Sequence, residues 1–274
     1  MRIDAEKGEG VDLAKKYNVR GYPTTVFVNS QGEEVDRIVG YLPIDEFLAE
    51  IKRIENGENT YSSLQDQVEK NPEDIDALKA FASKIEQRNQ QSQEALIIWE
   101  KVAELSEQGS ADLRQAEYKI AEYEAVTNQN PEPLLVYTER YPDSDNSIQA
   151  LIQVMQIYRR SGETQKEAAV FKTVVNQAVE QGNTDVNMLN SYAWRMAELE
   201  MNLEDALDKI QMAVAKLDDA SAEQQAQVKD TQAEVLWKLG QTESALAVIE
   251  ECIDLQPDDS YYKEQKAKYQ SATG

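Results

Sequence analysis

Four alanines, Ala95, Ala168, Ala206 and Ala245, stand at corresponding points of a recurring pattern, and that pattern limits the folds open to the chain. In its clearest copy, DTQAEVLWKLGQTESALAVIEECIDLQPDD, Ala233 is followed by Gly240, Ala245, Ile249, Cys252 and Pro257. A second copy runs through Trp194, Ala197, Ala206, Ile210 and Ala213, a third through Tyr158, Gly162, Ala168, Phe171 and Val174, and a fourth through Ala82, Asn89, Ala95, Trp99 and Val102. The alanines are separated by 73, 38 and 39 residues, so the first gap has room for one degenerate copy, placed at 111–142. Insertions before Ala95, at 106–110 and at 220–225 loosen the period. The physical reading is a series of antiparallel helix pairs. Alanine stands where two helix axes cross closely, and glycine, or its substitute, where the chain must turn with φ > 0.

The first 56 residues follow another pattern. Arg2-Ile3-Asp4 has the character of a strand end, and residues 11–17 place Val11, Ala14 and Tyr17 on one helical face. Thr24-Thr25-Val26-Phe27-Val28 is β-branched and aromatic, a strand by propensity. Asn29-Ser30-Gln31-Gly32 supplies a turn, and 33–39 returns antiparallel. Ile44, Phe47, Leu48, Ile51 and Ile54 then form a helical stripe. The segment 56–60, Asn-Gly-Glu-Asn-Thr, is the expected boundary, which gives domains at 1–56 and 61–271.

Composition removes several functions. The net charge is −23 with a pI near 4.4, which disfavours nucleic acid and anionic lipid as partners. There is no histidine, so Ser-His and Cys-His catalysis and most transition-metal sites are excluded. Cys252 is the one cysteine, which leaves no Cys-x-x-Cys pair, and no cofactor or metal is expected. No membrane span or signal-peptide core is visible, so the sequence carries no export address and the compartment stays open.

The helix pairs resemble tetratricopeptide repeats, five of which, with a final helix from 258 to about 270, would form a solenoid over 61–271. The stretch LAKKYNVRGYPTTVFVNSQGEEVDRIVGYLPIDEFLAEIKRI resembles the C-terminal part of a thioredoxin fold. Joined to MRIDAEKGEG, it is similar to bacterial thioredoxin-like domains that precede such repeats, some of them exported. The expected fold class is therefore an incomplete α/β thioredoxin-like part followed by an all-α solenoid, mainly α overall. The resemblance makes Pro23 the family's cis-proline and Tyr22, Pro23 and Thr24 contacts to an extended substrate. It also implies that the strand and helix bearing the family's Cys-x-x-Cys would precede Met1. On that reading Cys252 is an inert packing residue and the chain alone performs no thiol-disulfide exchange. Residues 1–20 are then expected to be poorly anchored or paired in a way foreign to the family, and the outer edge of 24–28 open.

By the same mapping Arg159, Arg160, Tyr192, Arg195 and Trp237 face a concave groove suited to an acidic or C-terminal peptide carboxylate. The alternative is that they cover the helix surface, with Trp and Tyr partly in the core. DSDNS at 143–147 alternates oxygen ligands but lacks the glycine and glutamate of a calcium loop, so it reads as a turn and helix cap. The chain is expected to be a protein- or peptide-binding scaffold. Two other readings stay open: a fragment of a thiol-disulfide oxidoreductase whose repeats recruit clients, and a purely structural assembly protein. Partner identity and oligomeric state are not legible.

Overall fold

The local signals at the front of the chain form elements where the sequence places them. The computed structural model describes residues 7–271. Helix α1 covers Glu9–Lys16, strands β1 and β2 cover Thr24–Val28 and Glu34–Val39, and α2 covers Ile44–Glu55. Then come α3 (Tyr61–Lys70), α4 (Ile75–Arg88), α5 (Gln93–Leu105), α6 (Ala111–Asn128), α7 (Glu132–Arg140), α8 (Ser147–Ser161) and α9 (Thr164–Glu180). The last are α10 (Val186–Leu199), α11 (Leu203–Val214), α12 (Ala222–Lys238), α13 (Thr242–Leu255) and α14 (Ser260–Ser271). Among the described residues the fold is thus mainly α, with a single two-stranded antiparallel sheet. The chain divides into two compact units, residues 1–133 and 134–274.

In the first unit β1 and β2 pair Thr24 with Val39 and Phe27 with Asp36, and a bulge follows between Phe27 and Val28. The inner face of β2 is charged. Asp36 and Glu34 have side chains 1% and 2% exposed. Arg53 of α2 lies 2.6 Å from Asp36 and Lys84 of α4 lies 2.8 Å from it. Arg37 and Arg88 hold Glu34 at 2.7 and 3.2 Å. The hairpin is therefore clasped to α2 and α4 by ion pairs that span the turn at 56–60. Behind them Leu64, Leu78, Phe81, Ile85, Ala95 and Trp99 form the apolar core of this unit.

The front end is better held than the sequence suggests. Tyr17 donates through its hydroxyl to Gly32 O at 3.0 Å, Asn18 donates to Arg88 O at 2.6 Å, and Arg37 donates to Tyr17 O. Residues 16–18 are thereby tied to the hairpin and α4, which corrects the expected loose anchoring for that stretch. Helix α1 itself buries only Gly10. The expectation for Arg2-Ile3-Asp4 lies outside the described residues.

The second unit is built on the alanine pattern. Ala168, Ala206 and Ala245 are buried at the pairings of α8 with α9, α10 with α11 and α12 with α13; Ala95 has the same place between α4 and α5 in the first unit. Ile210 and Ile249, one turn further on, have no accessible surface. Helices α3, α7 and α13 each close on a residue followed by proline (Asn71-Pro72, Tyr141-Pro142, Gln256-Pro257), because the pre-proline residue disfavours helical backbone. The turns inside the pairs differ. Gly162 and Gly240 take φ +75° and +76°, as expected. Between α10 and α11 the same left-handed backbone is taken by Glu200 and Asn202, with φ +54° and +51°. Asn89, aligned with those glycines in the sequence, is extended at φ −154°. The pair α4–α5 thus turns without a left-handed residue at that point.

Helix α14 closes the second unit through carboxylates of α12. Tyr269 and Lys268 donate to Glu234 Oε2 at 2.9 and 2.5 Å, and Tyr261 donates to Asp230 Oδ2 at 3.1 Å. Asp230 Oδ1 is buried and meets no partner among the described residues. Burial pushes the Asp230 carboxyl up to about 6, against the opposing Tyr261 hydrogen bond.

Two outcomes follow from this packing. A Cβ added at Gly240 meets no atom, so Gly240→Ala is expected to cost only left-handed strain, about 1–2 kcal/mol in urea unfolding. A carboxyl whose folded value is raised contributes stability below its unfolded value near 3.8 and loses it as pH rises through about 6. Asp230→Asn is therefore expected to stabilise the protein at pH 7.5, by at most roughly 3 kcal/mol. The gain should vanish at pH 3.5, where the native carboxyl is itself protonated; both are read by unfolding at the two pH values.

Candidate functional site

Two clusters, one in each unit, hold the residues singled out by sequence. In the first unit the Gly21-Tyr22-Pro23 turn leads into β1, and the Tyr22–Pro23 peptide is cis. Pro23 O accepts from Gly40 N at 2.9 Å, and the Thr24 hydroxyl donates to Gly21 O at 2.8 Å. These bonds fix the turn at the open end of the hairpin, where Tyr22 is 60% exposed. Val39 and Tyr41, on the returning segment, are exposed as well. The turn thus presents aromatic and aliphatic surface at the open end of the hairpin.

The second cluster centres on a residue that sequence reasoning passed over. Glu167 of α9 has a side chain with no accessible surface. Arg159 of α8 donates through Nε to Glu167 Oε1 at 2.7 Å. Arg195 of α10 donates through Nε to Oε1 and through Nη2 to Oε2, both at 2.9 Å, and its Nη1 meets Glu198 at 3.0 Å. Burial alone would raise the Glu167 carboxyl; the hydrogen bonds from Arg195 and Arg159 outweigh it and hold the group below the ordinary glutamate value. One carboxylate therefore fixes two guanidinium groups. Arg159 remains about half exposed, and its neighbour Arg160 is exposed.

The other two residues mapped to this face do different work. Tyr192 has no accessible surface; it packs edge-on against Phe171 and donates its hydroxyl to Asp205 at 2.5 Å. The reason is helical phase: Tyr192 shares its face with the buried Met196, so it is a core residue and offers nothing to a ligand. Trp237 is partly buried, stacked on Tyr269 at 5.4 Å, with Lys268 and Lys238 within 4.5 and 4.8 Å of its ring. Its faces are occupied by the packing of α14.

The single thiol belongs to the core. Cys252 has no accessible surface and donates weakly to Ala226 O at 3.4 Å. Burial pushes it up to about 12, with the nearby Asp230 charge adding to the effect. A thiol so placed is neither ionised nor reachable at neutral pH. DSDNS forms a turn, in which Ser144 N and the Ser147 hydroxyl donate to Tyr141 O. Among the described residues no group of three or more His, Cys, Asp or Glu is placed to hold a metal, and no helix is long and apolar enough to cross a membrane.

Comparison with known proteins adds to this geometry. Residues 4–55 match the thioredoxin-like domain family. The SPbeta prophage-derived thioredoxin-like protein YosR of Bacillus subtilis (strain 168) is 42% identical over 43 residues, which are 15% of this chain and 54% of that protein. The chain thus spans about half the length of this curated relative. Among solved structures, YrrB, described as a TPR protein with an unusual peptide-binding site, aligns with a TM-score of 0.51 at 18% identity, over 76% of this chain and 99% of its own. A Podosopora anserina putative kinesin light chain with nearly identical TPR-like repeats aligns at 0.46 and 15% identity, over 68% and 96%. At these identities the structural likeness speaks for fold alone. Residues 4–55 are thus similar to thioredoxin-like domains, and the helix pairs that follow have the fold of tetratricopeptide-repeat proteins.

Proposed function

We propose that the protein is a non-catalytic scaffold that binds an extended peptide, with Arg159, Arg160 and Arg195 recognising an acidic side chain or a terminal carboxylate. The observation that carries this reading is the arginine pair fixed on Glu167. A chain of net charge −23 repels acidic ligands at long range, so it can hold one only where cations are displayed in fixed geometry. Arg159 meets that condition, because its Nε is committed to the buried carboxylate while the outer part of the guanidinium stays accessible. A guanidinium already ordered loses little entropy when a carboxylate arrives. The peptide-binding description of YrrB agrees with this choice of ligand class. In the first unit, Tyr22, Pro23 and Thr24 supply a second contact surface for extended chain. No cofactor or metal enters the reading.

The test is fluorescence anisotropy with an acidic peptide ending in a free carboxylate and the same peptide amidated. The double variant Arg159→Gln, Arg160→Gln leaves Arg195 on Glu167 and is checked for folding by circular dichroism. The free-acid peptide is expected to bind more tightly than the amide and to lose about tenfold in affinity to the variant, the worth of one charge-assisted hydrogen bond. Equal affinity for both peptides, or an unaffected variant, overturns the arginine assignment.

A second reading is favoured by the thioredoxin-like match: the helix pairs bring clients to a redox centre. It assigns no reacting group to this chain, whose one thiol is the buried Cys252. Insulin reduction with dithiothreitol is expected to run at the uncatalysed rate in its presence. Cys252 should react with Ellman's reagent only after unfolding. Catalysed turnover would contradict the non-catalytic assignment.

A further inference from the structure

Helix α14 contains no valine, leucine, isoleucine, methionine or phenylalanine, yet it packs on α13 and is tied to α12. Its buried side chains are two tyrosines, Tyr262 and Tyr269, which join the apolar cluster of Ala233, Leu236, Ala245 and Ile249. Tyr269 also stacks on Trp237, and Lys268 lies 4.5 Å from the same ring. The rest of the grip is polar. Tyr261 donates to Asp230, and Tyr269 and Lys268 donate to Glu234. Asp230 and Glu234 stand one turn apart on the face of α12 that α14 covers, so two like charges lie beneath one directly bonded cation.

The surroundings of Asp230 do not neutralise it. On α12 its neighbours are Glu234 and Lys229, whose amino group is committed to Glu251 of α13. On α13 they are the uncharged Cys252 thiol and Glu250, which Lys266 of α14 holds at 2.8 Å. From α14 come Tyr261, Tyr262 and Lys268, and Asp259 lies in the turn before that helix. Burial and the Asp230 charge push Tyr261 and Tyr262 up to about 12, so both hydroxyls keep their protons around neutrality. Asp230 is 6% exposed and its Oδ1 meets no partner among the described residues. Ionised, it is a desolvated charge with one tyrosine hydrogen bond, directly under a helix that has no aliphatic anchor.

We infer that α14 is a proton-linked latch, closed on α12 and α13 while Asp230 is protonated and opening as a separate unit more readily once Asp230 is ionised. Opening uncovers the seats of Tyr262 and Tyr269 and one neighbour of the Trp237 ring, an aromatic and apolar surface at the end of the helix pairs. The direction follows from the charge. Burial pushes the Asp230 carboxyl up to about 6, while water restores it to near 3.8 when α14 lifts. The closed contact is therefore firmest below 3.8 and is weakened as pH rises through about 6. The latch is independent of the arginine pair on Glu167.

The experiment is hydrogen exchange of the full chain at pH 5 and pH 7.5, read by mass spectrometry and corrected for the intrinsic exchange rate. The opening constant of residues 260–271 is expected to be about tenfold larger at pH 7.5. At that pH it should also exceed the opening constant of α10, in the same unit, by at least about tenfold. Asp230→Asn keeps the side-chain volume and should remove the pH difference. Tyr261→Phe, at a partly exposed position, takes away the one hydrogen bond to the ionised carboxylate and should widen the difference. The inference is overturned if α14 opens equally at the two pH values, if Asp230→Asn keeps the difference, or if Tyr261→Phe narrows it. It is equally overturned if α14 and α10 share one opening constant, since α14 is then no separate unit.

Discussion

The helix pairs depend on one steric condition: something small must stand where two helix axes cross. Ala95, Ala168, Ala206 and Ala245 meet it, each buried, each followed within four residues by a larger residue that fills the space beside the crossing. A larger side chain at the crossing would push the axes apart and open voids around Trp99, Ile210 and Ile249, which now have essentially no accessible surface. Close approach in turn leaves no slack in the connecting turn. The chain reverses through one or two residues of left-handed backbone, at Gly162, at Glu200 with Asn202, and at Gly240. In these three pairs the crossing and the turn go together, whereas α4–α5 keeps its alanine crossing at Ala95 with an extended Asn89 in the turn.

The thioredoxin-like segment is held by a different force. A two-stranded hairpin has too little apolar surface to be stable on its own. Here the inner face of β2 offers carboxylates, and α2 and α4 answer with Arg53, Lys84 and Arg88. Such pairs contribute little net attraction once desolvation is counted, but breaking one strands a buried charge at a cost of about 3–5 kcal/mol. The clasp is therefore a device of register. Only one alignment of β2 against α4 matches Glu34 with Arg88 and Asp36 with Lys84, and a slip by one residue would turn both carboxylates to the wrong face.

What could be read from sequence divides along the same line. β1 and α2 begin at the expected residues, because their signals are local: β-branched runs, a glycine turn, an apolar stripe ending at Asn-Gly. The alanine positions were legible because a period of 38 or 39 residues repeats them. Glu167 was not, since a glutamate in a helix reads as surface, and its arginine partners lie 8 and 28 residues away on other helices. The turn at Glu200 and Asn202 was hidden because the left-handed backbone is held by side chains that do not announce it. For Tyr192 the groove and the core were both open from sequence, and it takes the core, packed against Phe171. It stands three residues from Arg195, only about 60° away around α10, and the two differ in depth: the Tyr192 ring has no accessible surface, whereas the longer Arg195 side chain stays 26% exposed.

One electrostatic arrangement recurs in both units. In a chain with 51 acidic and 28 basic residues, most cations have a carboxylate close at hand, so a free charge of either sign is informative. Around Glu167 one buried carboxylate faces two guanidinium groups, the second of which also meets Glu198, and the exposed Arg160 stands beside them. Beside β2 the same arrangement occurs twice: Asp36 meets Arg53 and Lys84, and Glu34 meets Arg37 and Arg88. Burial of the central carboxylate is what fixes the cations around it. The helix pairs and the hairpin therefore use one device, a buried carboxylate that holds two cations at once: Glu167 with Arg159 and Arg195, and Asp36 with Arg53 and Lys84.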